Sequence, residues 1–137
     1  MLGDKLGEEQ GKVTTRRVLE GDDYRYIKME ITFEAQGTIL GVEGSNMGTY
    51  SVYERVPGQL YGEGRGIFMT KDGDGAIWNG HGIGTPTGDG MGIKFAASVA
   101  YQTSSSKLAR LNNVLGIVEH TAEGDGSVHS VIWEWKA

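Results

Sequence analysis

From Ile27 the chain alternates. Ile27, Met29, Ile31, Phe33 and Ala35 are apolar, while Lys28, Glu30, Thr32 and Glu34 between them are polar. A period of two places the two sets on opposite faces of a half-buried strand. Strand-like runs recur at Val13 to Leu19, Tyr24 to Ala35, Gly48 to Val56, Gln59 to Lys71, Gly75 to Gly84, Gly88 to Gln102, Asn113 to Thr121 and Ser127 to Lys136, about eight in all. Turn chemistry separates them at Glu20-Gly21-Asp22-Asp23, Pro57-Gly58, 71–75, Thr85-Pro86-Thr87 and 123–126. Residues 104–112 alone read as helix, with serines able to cap its start and Leu108 and Leu111 three apart on one face. Short turns join antiparallel neighbours, and closure hides strand edges. The expectation is therefore an all-β, eight-stranded antiparallel barrel with one short connecting helix, with a sandwich second. Residues 1–12 are polar and aperiodic and read as a tail or an ordered lead-in to a single domain spanning 13–137.

Glycine changes this picture. It supplies 23 of 137 residues, more than twice its usual share of roughly 7%. Three stretches place it at every second position: Gly62-Glu63-Gly64-Arg65-Gly66, Gly80-His81-Gly82-Ile83-Gly84 and Gly88-Asp89-Gly90-Met91-Gly92. Each adjoins strand-like residues, so each stretch predicts a strand with one bare face. Pairing Gly84 with Gly88 across Thr85-Pro86-Thr87, and Gly66 with Gly80 across a five-residue loop at 71–75, gathers the glycines on one face of three strands.

The opposite face of those strands then carries Glu63, Arg65, Asn79, His81 and Asp89 among Tyr61, Ile67, Met69, Ile77, Ile83, Met91 and Phe95. It is the more apolar face, which predicts that it points inward. Buried polar groups need partners or a ligand, and a mostly apolar chamber with a few convergent polar groups describes a small-molecule site. Glu63, His81 and Glu54 are the candidate acid–base groups. Arg65 and Asn79 are candidate donors, with Tyr61, Ile83, Met91 and Phe95 as ligand-facing walls. The competing reading makes Glu63 and Arg65 a solvated pair near the mouth, and puts Glu54 at the rim before Pro57-Gly58.

Across the last turn, pairing Thr121 with Val128 sets His120 beside His129 and Gly116 beside Trp133. Two histidines without a third ligand do not make a metal site, so no metal or cofactor is expected. The glycine stretches lack the Lys-Ser or Lys-Thr of a phosphate loop and do not open a helix. Residues 72–76 lack the remaining ligands of a calcium loop, and Ser45 in 44–48 is misplaced for a nucleophile elbow.

Charge and composition narrow the partners. A formal charge of −5 with no basic run opposes nucleic-acid binding. No apolar stretch approaches the roughly 20 residues of a spanning helix, and the start lacks a secretory apolar core, so neither membrane nor secretion is expected. With no cysteine, thiol chemistry and disulfides are excluded, and the cytoplasm is the default compartment.

About eight strands in some 120 residues, a Gly-rich middle and a closing Val131-Ile132-Trp133-Glu134-Trp135-Lys136 strand together resemble the small allene oxide cyclase-like barrels. These are relatives of the lipocalin-type calycins, and the group includes uncharacterised bacterial proteins. The resemblance implies a cofactor-free cyclase or binder whose barrel holds a lipid- or polyketide-like molecule, and a homo-oligomer, dimer or trimer. It assigns no site residue. Two functions follow as expectations: a barrel that binds a small apolar or amphipathic molecule, and isomerises or cyclises it, or a structural, oligomeric module with a filled interior. In the second, the glycine patch with Trp133 and Trp135 would make the subunit contacts.

Overall fold

The structure, a computed structural model, describes residues 1–21 and 28–137. Its eight antiparallel strands are β1 (Leu2–Leu19), β2 (Lys28–Ile39), β3 (Val42–Val56), β4 (Gln59–Thr70), β5 (Gly75–Pro86), β6 (Ile93–Thr103), β7 (Leu115–Ala122) and β8 (Ser127–Trp135). Each pairs with the next, and β8 returns to β1 to close the barrel. Closure removes both sheet edges, as the strand count anticipates. Tyr24 and Ile27, expected to open the second strand, and Asp22 and Asp23 of the preceding turn lie outside the described residues. Among the described residues no helix is long and apolar enough to cross a membrane.

Left-handed residues set the hairpins. Val56 pairs with Gln59 across Pro57-Gly58, with Gly58 at φ 83°; proline fixes the first corner and glycine takes the second. The β4–β5 loop closes on a bond from Thr70 N to Asp74 O at 2.9 Å, and the β7–β8 loop on one from Glu123 N to Ser127 O at 2.8 Å. Each leaves three residues in the loop, the last being Gly73 (φ 85°) or Gly126 (φ 91°), the usual geometry of a three-residue hairpin.

These tight loops move the expected registers. Gly64 faces Gly80 and Gly62 faces Gly82, a two-residue slip that preserves the faces. His120 faces Ser130, not His129, and Gly116 faces Glu134, not Trp133; this one-residue slip sends His120 and His129 to opposite faces. Residues 87–92 are a loop rather than strand, with Gly88 and Gly90 at positive φ. Gly84 accordingly pairs with Phe95. The polar start is strand as well: β1 begins at Leu2 and pairs along both edges, with β2 and β8.

The largest correction concerns the glycine face. Gly62, Gly64 and Gly66 lie on the same side of β4 as the fully buried Phe68, and Gly80, Gly82 and Gly84 share a side with buried Ala76 on β5. That side is the lumen. Ile67, Ile77 and Ile83, expected inside, are exposed.

The reason is room for rings. Phe33, Gly48, Gly66 and Trp78 form one cross-strand row over β2 to β5. The two rings lie over the glycines and stack at 6.4 Å between centroids. A Cβ on Gly48 would stand 2.5 Å from Trp78 and 2.8 Å from Phe33, and one on Gly62 2.9 Å from Phe95. The face with fewer apolar side chains is interior because rings from neighbouring positions fill it.

Two apolar clusters occupy the lumen. One gathers Ile31, Phe33, Tyr50, Val52 and Phe95. The other joins Leu6, Ile39 and Phe68 to Leu108 and Leu111, both fully buried. These two leucines belong to the β6–β7 connection, whose only helical part is a 3-10 turn at Ala109–Asn113. That connection plugs the barrel at the end where β1 begins.

Gly48→Ala is expected to destabilise the fold by ~1–3 kcal/mol, the usual cost of overpacking. Because the atoms nearest the added methyl belong to the Trp78 and Phe33 rings, a double-mutant cycle with Trp78→Leu by urea unfolding should show coupling of at least ~0.5 kcal/mol. Additive effects would refute the ring-over-glycine account.

Candidate functional site

On the wall opposite the glycines three inward residues form a row. Glu9 of β1 faces Ser130 of β8, and Ser130 faces His120 of β7. Across the lumen, Gly62, Gly64, Gly80 and Gly82 present bare backbone. Between the walls lies a cavity of about 90 Å³, lined by both apolar clusters. Its polar side chains are Glu9, Asn46, Tyr50, Tyr101, His120 and Ser130, together with the Trp78 indole.

The hydrogen bonds in this chamber are incomplete. Trp78 Nε1 donates to Asn46 Oδ1 at 2.8 Å. An indole can only donate, so it fixes the amide with Nδ2 turned toward Glu9. That amide donates to Glu9 Oε1 at 3.4 Å. Among the described residues Glu9 Oε2 has no partner, nor have the Tyr50 hydroxyl and His120 Nε2, although all three are buried. The other imidazole nitrogen, Nδ1, lies 2.6 Å from Ser130 Oγ, and the ring packs between Phe33 at 4.9 Å and Tyr50 at 5.9 Å.

Burial sets the protonation states. Glu9 is 2% exposed, and among the described residues no Lys or Arg lines the cavity. Desolvation raises its carboxyl to about 7, against a smaller opposing effect of the Asn46 hydrogen bond. Desolvation, assisted by the charge of His129, lowers His120 to about 4, so its imidazole is neutral near pH 7. The Tyr50 hydroxyl is pushed up to about 12 and burial raises Tyr101 too. The chamber thus holds a carboxyl that takes or gives a proton near neutrality, beside neutral groups able to donate or accept.

Of the residues expected from the sequence, Phe95 lines the cavity, and Glu63 and His81 border it from the β4–β5 wall with their side chains on the outer face. Glu63 faces His81, Arg65 faces Asn79 and Tyr61 faces Ile83 across β4 and β5, so the structure does bring them together. They do so on the outer face, in solvent: the Tyr61 hydroxyl donates to Glu63 Oε2 at 3.3 Å and lies 3.3 Å from His81 Nδ1, while Arg55 sits over the Tyr61 ring. Met91 is exposed in the 87–92 loop. Glu54 lies at the rim and accepts a bond from Gly58 N at 2.9 Å. Phe95 is buried in the cavity wall. His129 points outward to Glu8, and Trp133 donates to Glu119.

Nothing in the sequence pattern marks Glu9, Asn46, His120 and Ser130 together as a site. A signal existed for two of them: Val118, His120 and Ala122, like Val128, Ser130 and Ile132, share one apolar face at period two. For Glu9 there was none, because register shifts between Leu2 and Gly7 break the alternation of β1.

No family model matches the chain, and no curated protein matches it. Its fold is shared by solved structures. A protein of unknown function from Clostridium acetobutylicum ATCC 824 superposes with a TM-score of 0.81 at 15% identity, covering 97% of this chain and 98% of that one. A beta-barrel like protein from Acinetobacter baumannii AYE gives 0.81 at 15% identity, over 99% and 96%. An enzyme from Penicillium herquei gives 0.67 at 17% identity, over 96% and 92%. The chain is therefore an eight-stranded barrel of a type found in bacteria and a fungus.

The two buried groups oppose each other in pH dependence. Glu9, raised in the folded state, adds stability below its unfolded value near 4.5 and loses it as pH climbs through about 7. His120, lowered in the folded state, adds stability above its unfolded value near 6.5 and loses it as pH falls through about 4. Between pH 4.5 and 6.5 their slopes largely cancel. In Glu9→Gln, urea unfolding should show stability rising with pH over this interval and staying level from pH 6.5 to 8, where the wild type declines. Parallel profiles would remove Glu9 as the raised group.

Proposed function

We propose that the barrel binds a small apolar or amphipathic molecule in its interior and moves a proton on it without a cofactor, as an isomerase or cyclase of the allene oxide cyclase-like kind. The observation that carries this reading is the set of buried, unpartnered polar atoms, Glu9 Oε2, Tyr50 OH and His120 Nε2, around one cavity. Each such atom costs roughly 1–3 kcal/mol when left unsatisfied, and a ligand removes that cost. Catalysis on a similar barrel has a precedent in the Penicillium herquei enzyme. The rival reading, a structural module with a filled lumen, leaves the cavity and its orphan groups without a purpose.

In this reading Glu9 is the base. With Asn46 holding Oε1, Oε2 takes a proton from the carbon beside a substrate carbonyl, and the electron pair moves to the carbonyl oxygen as an enolate. The Tyr50 hydroxyl or His120 donates a hydrogen bond to that oxygen. Glu9 then returns the proton at the same or a conjugated carbon, so no net proton or electron is exchanged. The aromatic walls exclude water and hold the substrate flat.

Deuterium uptake from D2O into 2-cyclohexenone, followed by proton NMR, checks the proposal. The wild type should speed exchange above the buffer rate. Glu9→Gln should lower that increment ~100-fold or more, whereas Glu63→Gln and His81→Gln should leave it unchanged. An increment that survives Glu9→Gln, or falls with the outer variants, would return the site to the outer cluster.

A further inference from the structure

The chamber also selects among small molecules by charge, shape and hydrogen bonding. No Lys or Arg lines it among the described residues, and the charge of Arg16 acts on Tyr50 but not on Glu9, so an anion beside Glu9 would go uncompensated. A cation must leave water for the environment that already drives Glu9 toward its neutral form. The occupant is therefore neutral.

Size and shape narrow it further. Since a dry cavity of ~150 Å³ takes up benzene, one of about 90 Å³ limits a rigid occupant to one small ring. Gly64 and Gly80 offer flat backbone on one side, and Phe33, Tyr50 and Phe95 offer ring surface around the rest. Planar molecules fit such walls with the most contact.

The unpartnered atoms decide the polar group. A carboxyl near its midpoint presents either a bare oxygen or an O–H at Oε2. The Tyr50 hydroxyl can donate or accept, and the neutral His120 Nε2 does one or the other according to its tautomer. A ketone only accepts and an ether only accepts. A hydroxyl does both, and meets Glu9 in either protonation state.

We propose that the cavity recognises a flat, neutral ring carrying one acidic hydroxyl, a cyclic enol or phenol, with its O–H at Glu9 and its oxygen within reach of Tyr50. This rests on the proton-transfer reading above and deepens it, because the enol is the planar form through which a cyclic ketone exchanges its protons and a phenol is its stable counterpart.

Fluorine NMR with 4-fluorophenol, 4-fluorotoluene and 4-fluorobenzylamine tests the class, since the three share a ring and differ in one polar group. On the wild type at pH 6, 4-fluorophenol should bind saturably and at least tenfold tighter than either of the others. Tyr50→Phe, which deletes only an oxygen, should weaken it at least threefold. Glu9→Leu should reverse the preference in favour of 4-fluorotoluene. Ala97→Leu, which fills the cavity from β6, should abolish binding of all three. Toluene or benzylamine binding as tightly as the phenol, with loss in Ala97→Leu, would overturn the hydroxyl class and leave the interior as the binding site. Absence of binding by all three, or binding untouched by Ala97→Leu, would overturn both the class and the interior site.

Discussion

The structure depends on a steric exchange inside the barrel: several of the large rings in the lumen lie over positions that lack a Cβ. An eight-stranded barrel has an interior just wide enough for its own side chains. Phe33, Tyr50, Phe68, Trp78 and Phe95 all point into this one, and five rings overfill it unless other inward positions give way. Gly48 and Gly66 give way to Trp78, Gly62 and Gly84 to Phe95, and Gly44 to Phe68. Glycine weakens a strand locally. Here the loss is offset by burying rings of 150–250 Å² each.

That exchange leaves a remainder, and the remainder is the cavity. Where rings do not reach Gly64, Gly80 and Gly82, the bare wall of β4 and β5 bounds a cavity, and the wall across from it carries Glu9, Ser130 and His120. The plug formed by Leu108 and Leu111 seals the end of the barrel where β1 begins and supports the lower cluster. Burial among these rings desolvates both groups, which is why Glu9 and His120 are moved so far from their ordinary protonation ranges in opposite directions.

Much of the architecture is legible in the sequence, and the site mostly is not. Alternation in Met29 to Ala35, turn chemistry at Pro57-Gly58 and at 123–126, and the Leu108–Leu111 pair lead to an antiparallel barrel with a single short connection. The β2–β3 hairpin is hidden because Leu40 takes a left-handed conformation, φ 53°, where Asn or Gly is usual. The facing of β4 and β5 is inverted by a rule that ranks faces by their own side chains, whereas the interior of this barrel is filled from neighbouring strands. The polar residues between the glycines form a real cluster, Tyr61 with Glu63 and His81, but a solvated one. Strand parity carries the rest. Pairing Ala122 instead of Thr121 with Val128 puts His120 on the face of Ser130 and Ile132, and with it the row that leads to Glu9.

The buried carboxyl argues against a purely structural role for the lumen. A leucine at position 9 would bury more apolar surface, avoid the desolvation of Glu9 and remove one unpartnered oxygen, and cores accept such replacements readily when volume is kept. Asn46 and Trp78 do not relieve that cost: they hold Oε1 and leave Oε2 free. A network built for stability would close around both oxygens. This one orients the carboxyl and leaves Oε2 facing a cavity, the arrangement that the proposed proton transfer would use.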